Sequence, residues 1–67
     1  MENIKAERAR KGITQKQLAD VLGLTTSHTI ANWESGRRSP NPLQLVSMAD
    51  FFGCSVDYLL GRTERRA

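Results

Sequence analysis

Apolar residues in this chain recur in short helical phases, and each phase is cut off by glycine or proline. In the first segment, ENIKAERARK, Ile4, Arg8 and Lys11 share one side with Ala6 and Ala9 nearby, a weakly amphipathic helix that Gly12 ends. The second, TQKQLADVLG, opens on Thr14 and Gln17, the spacing of a capping box. Leu18, Val21 and Leu22 then follow at i, i+3 and i+4 before Gly23 stops the helix. The third, SHTIANWES, places Ile30 and Trp33 on one face and ends at Gly36. Asn41 caps the fourth, with Pro42 in its first position, Gln44 completing a second capping box, and Leu45, Met48, Ala49 and Phe52 directed inward up to Gly53. Ser55 caps the fifth, SVDYLL, where Val56, Leu59 and Leu60 turn inward and Gly61 closes.

No run alternates apolar and polar residues as a strand does, and no hairpin dipeptide joins two such runs. The expected fold class is therefore all-α, a compact five-helix bundle. Its second and third helices are joined by a few residues containing Gly23, which is the arrangement of a helix-turn-helix. The bundle is expected over residues 1–61, with the helix-turn-helix at about 14–36. Residues 62–67 form a short basic tail, expected to be mobile because it has no apolar anchor.

Sixty-seven residues make one domain, near the size at which a single core is only marginally sufficient. No apolar run approaches the roughly 20 residues of a membrane span, and no signal peptide opens the chain. One cysteine makes neither an intramolecular disulfide nor a Cys-based metal site, so a reducing, cytoplasmic setting is expected. The formal charge of +3 suits a polyanion partner without singling one out. An enzyme is not expected. The single His lies beside hydroxyl residues, Ser27 and His28 are helix neighbours that do not face each other, and the acids are scattered. No catalytic residue, metal site, cofactor or small-molecule substrate is expected.

Three stretches, GITQKQLADVLGL, TIANWESGRRSP and FFGCSVDYLLG, resemble the Cro/CI-type (XRE-like) helix-turn-helix regulators of phage and bacteria. The resemblance covers nearly all of Glu7 to Gly61. It implies a lambda-repressor-like bundle whose third helix enters the major groove of double-stranded DNA while the second crosses above it. The function it implies is a sequence-specific transcriptional regulator of the phage or prophage repressor type, bound to a palindromic operator as a homodimer. An antitoxin that binds a toxin partner and its own operator is the alternative, weakened by the short tail. One feature departs from the family pattern. Gly23 and Ile30 enclose six residues, Leu24 to Thr29, one more than is usual. Either Thr26 caps the third helix after a lengthened turn, or Thr25 caps it and the helix is longer. Thr26 is favoured, because a loop absorbs an insertion more easily than a packed helix.

Since Ile30 and Trp33 must be buried, His28 and Asn32 lie on the opposite face at about 100° per residue, whichever threonine is the cap. Ser27, His28 and Asn32 occupy positions that contact base edges in the family. Asn pairs bidentately with adenine N6 and N7, and His donates to guanine O6 or N7. The resemblance also implies that Gln15 contacts a phosphate, with Thr14, Lys16 and Thr29 assisting and Arg37 and Arg38 anchoring beside the groove. Arg8 and Glu34 are implied as a structural ion pair between the first and third helices. Trp33 is read as core rather than a stacking platform, and Cys54 as core filler. Leu43, Phe51 and Tyr58 fall outside the inward set and are the candidates for a dimer contact.

Overall fold

Side-chain caps set where the chain changes direction. In the computed structural model, which describes residues 1–66, the helices are α1 (Glu2–Lys11), α2 (Gln15–Val21), α3 (His28–Ser35), α4 (Pro42–Phe52) and α5 (Val56–Leu59). Ala67, the last residue of the expected tail, lies outside the described residues, among which there is no strand. Both capping boxes form. The Thr14 hydroxyl accepts from the Gln17 N–H at 3.0 Å, and the Gln17 side chain accepts from the Thr14 N–H at 2.8 Å. Asn41 and Gln44 repeat the exchange at 2.8 and 2.9 Å. The Ser55 hydroxyl accepts from the Tyr58 N–H at 3.0 Å, starting α5.

These short helices bury one core of Ile4, Leu18, Ala19, Ile30, Trp33, Leu45, Met48, Ala49, Phe52 and Leu59. α1 lies against α3, α4 and α5, α2 packs on α3, and α4 packs on α5. The start of the chain is tied to α3 as well, since the Met1 amino group donates to the Trp33 carbonyl at 2.7 Å. A radius of gyration of 10.6 Å is what full compaction of this length requires. No described helix is long and apolar enough to cross a membrane.

Two of the residues expected inside are not. Val21 is 50% exposed, because the buried stripe of α2 runs through Leu18 and Ala19, and Val21 falls on its far side. Leu60 is 42% exposed, because α5 ends at Leu59 and Leu60 leaves the helical face as its C-cap. On α1 the buried partner of Ile4 is not Lys11 but Glu7, which is 2% exposed. Lys11 is exposed and sets its ammonium 4.8 Å from the centre of the Phe51 ring.

Glu7 is buried because the tail supplies its counter-charge. Arg66 donates to both carboxylate oxygens, at 2.8 and 2.6 Å, and to the Phe52 carbonyl at 2.7 Å. The Ser55 N–H donates to the Arg66 carbonyl at 2.7 Å. The expectation of a mobile tail is corrected here: residues 62–66 lack an apolar anchor but have an ionic one, on an acid that the core has already taken out of water. Hydrogen bonds from Arg66 hold the Glu7 carboxyl below the usual glutamate range, against the opposing effect of burial and with help from the charge of Arg10.

Removing Arg66 leaves a buried carboxylate without its partner, which costs far more than losing a surface pair. Arg66→Ala is expected to lower the melting temperature by on the order of 10 °C, measured by circular dichroism. The folded pKa of Glu7 is depressed, so its contribution to stability is complete above the unfolded glutamate pKa and is lost as pH falls through the folded value. Glu7→Gln should therefore show a flatter decline in melting temperature below about pH 4 than the parent protein.

Candidate nucleic-acid interface

The lengthened connection between α2 and α3 decides how the third helix begins. The Gly23 and Leu24 N–H groups donate back to the Asp20 and Ala19 carbonyls at 3.2 and 2.8 Å, closing α2, with Gly23 at φ 73°, a left-handed conformation that side-chain-bearing residues avoid. The extra residue is thereby confined to the stretch between Leu24 and Ser27. The Thr26 hydroxyl accepts from the His28 N–H at 3.2 Å, so Thr26 supplies the capping oxygen. The flanking residue of α3 is nevertheless Ser27, one position later than expected. Ser27 already has helical dihedrals, makes no side-chain cap bond, and gives its carbonyl to the Ala31 N–H at 3.1 Å. Threonine reaches two residues ahead in a local turn, and the Ser27 hydroxyl is left without a capping duty.

Along α3, Ile30 and Trp33 are buried, His28 is exposed, and Ser27, Thr29 and Asn32 are half-buried. The helix ends at Gly36, whose φ of 82° turns the chain back so that the Arg37 and Arg38 N–H groups both donate to the Asn32 carbonyl, at 2.9 and 3.2 Å. Two exposed guanidinium-bearing residues are thus held beside the end of α3. An open cleft lies between α3 and the start of α4, lined by Thr29, Asn32, Trp33, Arg38, Ser39 and Gln44. Ser39 and Gln44 were not among the sequence candidates. Gln44 was visible only as a capping residue, and that duty occupies its side-chain oxygen and leaves its amide N–H groups free.

On the α2 side, Thr14 spends its hydroxyl on the capping box. Lys16 is exposed and 3.9 Å from Asp20, a pair that solvent largely screens. Gln15 is half-buried, and its amide nitrogen donates to Glu34 at 3.1 Å. Glu34 also receives Arg8, through Nε at 2.7 Å and Nη2 at 3.3 Å, while Arg8 Nη1 donates to the Ile13 carbonyl at 3.0 Å. This ion pair is mostly buried, with 6% of the Glu34 side chain exposed.

The three dimer candidates do not form one patch. Leu43 is 78% exposed, whereas Phe51 and Tyr58 are half-buried and pack on the core. Leu43 and Phe51 are also about 12 Å apart along α4. The outward neighbour of Leu43 is instead Val46, likewise exposed. Cys54 is half-buried, and burial pushes its thiol up, away from the reactive thiolate. Among the described residues, no group of His, Cys, Asp and Glu is placed to hold a metal ion.

Residues 4–59, spanning all five helices apart from the first residues of α1, match the family model described as Helix-turn-helix. The chain belongs to the helix-turn-helix family. It is 39% identical over 59 residues to YqaE of Bacillus subtilis (strain 168), an uncharacterized HTH-type transcriptional regulator, covering 88% of this chain and 50% of that protein. Identity is 36% over 63 residues to the HTH-type transcriptional activator BcrR of Enterococcus faecalis, covering 94% of this chain and 30% of BcrR. It is 34% over 62 residues to YonR, an uncharacterized HTH-type regulator derived from the SPbeta prophage of Bacillus subtilis (strain 168), covering 92% of this chain and 56% of YonR. The chain thus spans about half the length, or less, of the curated relatives it matches. It is a helix-turn-helix domain of the kind carried by these transcriptional regulators.

Asn32→Ala is expected to weaken specific binding by about 1–3 kcal/mol and to relax the preference at one base pair. Arg37→Ala and Arg38→Ala should instead weaken all sequences alike, each reducing the slope of log K against log salt by about one. Binding titrations over a panel of single-base variants at several salt concentrations separate the two behaviours.

Proposed function

We propose that this domain binds a palindromic operator as a homodimer and represses transcription by occluding polymerase. The observation that carries the reading is the division of α3 into a buried Ile30–Trp33 face and an outward His28–Asn32 face, with Ser27 at its start and Arg37 and Arg38 beside its end. In this reading Asn32 pairs with adenine, His28 donates to guanine, and Ser27 makes a less discriminating contact. Arg37 and Arg38 anchor phosphates, assisted by Gln15, Thr14, Lys16 and Thr29. A two-fold dimer would place the two α3 helices in successive major grooves, with half-site centres about 10 bp apart. Exposed Leu43 and Val46 on α4 offer apolar area for that contact, whereas Phe51 and Tyr58 are taken up by the core. A prophage-derived relative supports the phage-type setting, whereas a relative that is an activator means that likeness alone does not give the sign of regulation.

Fluorescence anisotropy with DNA flanking its own gene tests the reading. A two-to-one complex is expected on one inverted repeat, bound at least about 10³-fold more tightly than random DNA at physiological salt. A reporter driven from that site should fall in output when the protein is expressed. Equal affinity for random DNA would overturn operator recognition, and a rise in reporter output would overturn repression.

A further inference from the structure

We propose that Glu34 is a positioning residue for DNA binding, acting through the Gln15 amide. The proposal rests on the reading of Gln15 as a contact to the DNA backbone. An Arg8–Glu34 pair alone would tie α1 to α3 and have no reach toward DNA. The Glu34 carboxylate does more, because its Oε1 is shared between Arg8 Nη2 at 3.3 Å and Gln15 Nε2 at 3.1 Å. One nearly buried carboxylate therefore joins α1, α2 and α3, the last two being the elements that would face DNA.

The chemistry of the amide gives this junction a direction. A carboxylate only accepts, so the Gln15 side chain must turn its nitrogen toward Glu34, never its oxygen. The amide is planar. Committing one N–H to Glu34 leaves the second N–H and the carbonyl oxygen with fixed directions away from it. A free glutamine side chain has three rotatable bonds to immobilise when a ligand binds, and one already held loses less freedom on contact with a phosphate oxygen. Replacing the carboxylate by an amide breaks this logic. Three donors converge on Glu34, and a glutamine there brings one acceptor and a donor of its own.

The test is a double-mutant cycle in DNA affinity, run at a temperature where circular dichroism shows every variant folded. Gln15→Ala and Glu34→Gln are each expected to weaken binding roughly 5- to 10-fold on specific and random DNA alike. The double variant should bind no more weakly than Gln15→Ala alone. For Gln15→Ala the salt slope stays unchanged, since the contact is neutral. In free protein, one Gln15 side-chain amide proton should resonate downfield in a ¹H–¹⁵N spectrum and move back in Glu34→Gln. If Glu34→Gln does not fold, Glu34→Asp keeps a negative charge near Arg8 while shortening the reach to Gln15, and the same loss is expected. A folded Glu34 variant with parental affinity, or losses that add fully to those of Gln15→Ala, would overturn the proposal and leave Glu34 a stabilising residue only. Parental affinity in Gln15→Ala overturns the phosphate role of Gln15 and this inference with it, while operator recognition stands. Failure of the unmodified protein to prefer any operator overturns the function itself.

Discussion

An eight-residue helix has no independent stability in water, so α3 exists only because Ile30 and Trp33 are buried against the rest of the bundle. That constraint does most of the functional work. Burying two residues three apart fixes the rotation of the helix about its axis. His28 and Asn32 are then outward regardless of how the preceding turn is built. Gly36 and the return of the Arg37 and Arg38 amides to the Asn32 carbonyl fix the other end, so that the two arginines and the outward residues His28 and Asn32 are set by one short element. A change that loosens this packing would alter presentation before it altered any contacting residue.

Ionic ties do at long range what the small core cannot do alone. Glu34 and Arg8 are 26 residues apart, and Glu7 and Arg66 are 59 apart. Each pair removes a carboxylate from water and satisfies it with a guanidinium that also donates to a backbone carbonyl, of Ile13 in one case and Phe52 in the other. No buried side-chain nitrogen or oxygen among the described residues lacks a partner. Such pairs contribute modest net stability against an apolar alternative, but they penalise any arrangement in which one partner is missing. In a bundle of short helices, that penalty ties the ends of the chain to a single arrangement.

The turn before α3 shows how an extra residue is absorbed at low cost. It is taken up between Leu24 and Ser27, with Leu24 still packed on the core edge. Thr26 takes over the capping oxygen, and Ser27 enters the helical conformation without capping. His28 and Asn32 stay on the side of α3 away from Ile30 and Trp33.

The starts of α2, α4 and α5 were legible in the sequence because capping is local chemistry. Thr14 with Gln17, Asn41 with Gln44, and Ser55 each act on N–H groups within three residues. The buried faces of α3 and α4 were legible for the related reason that periodicity is local. Val21 and Leu60 stay exposed although they follow the apolar spacing, because that spacing names a stripe without saying which edge of it meets a neighbour. Glu7 and Arg66 left no sequence signal of their own, since an acid in α1 and an arginine near the end of the chain read as solvated surface, and Gln15 read as a phosphate contact without any sign of its bond to Glu34. What the sequence by itself determined was the set of helices and the outward residues of α3, since both follow from interactions within a few residues. What only the tertiary structure decided was that Glu7 leaves water with Arg66 as its partner and that Gln15 joins the Arg8–Glu34 pair, because those bonds depend on which distant groups the packed core brings within hydrogen-bond reach.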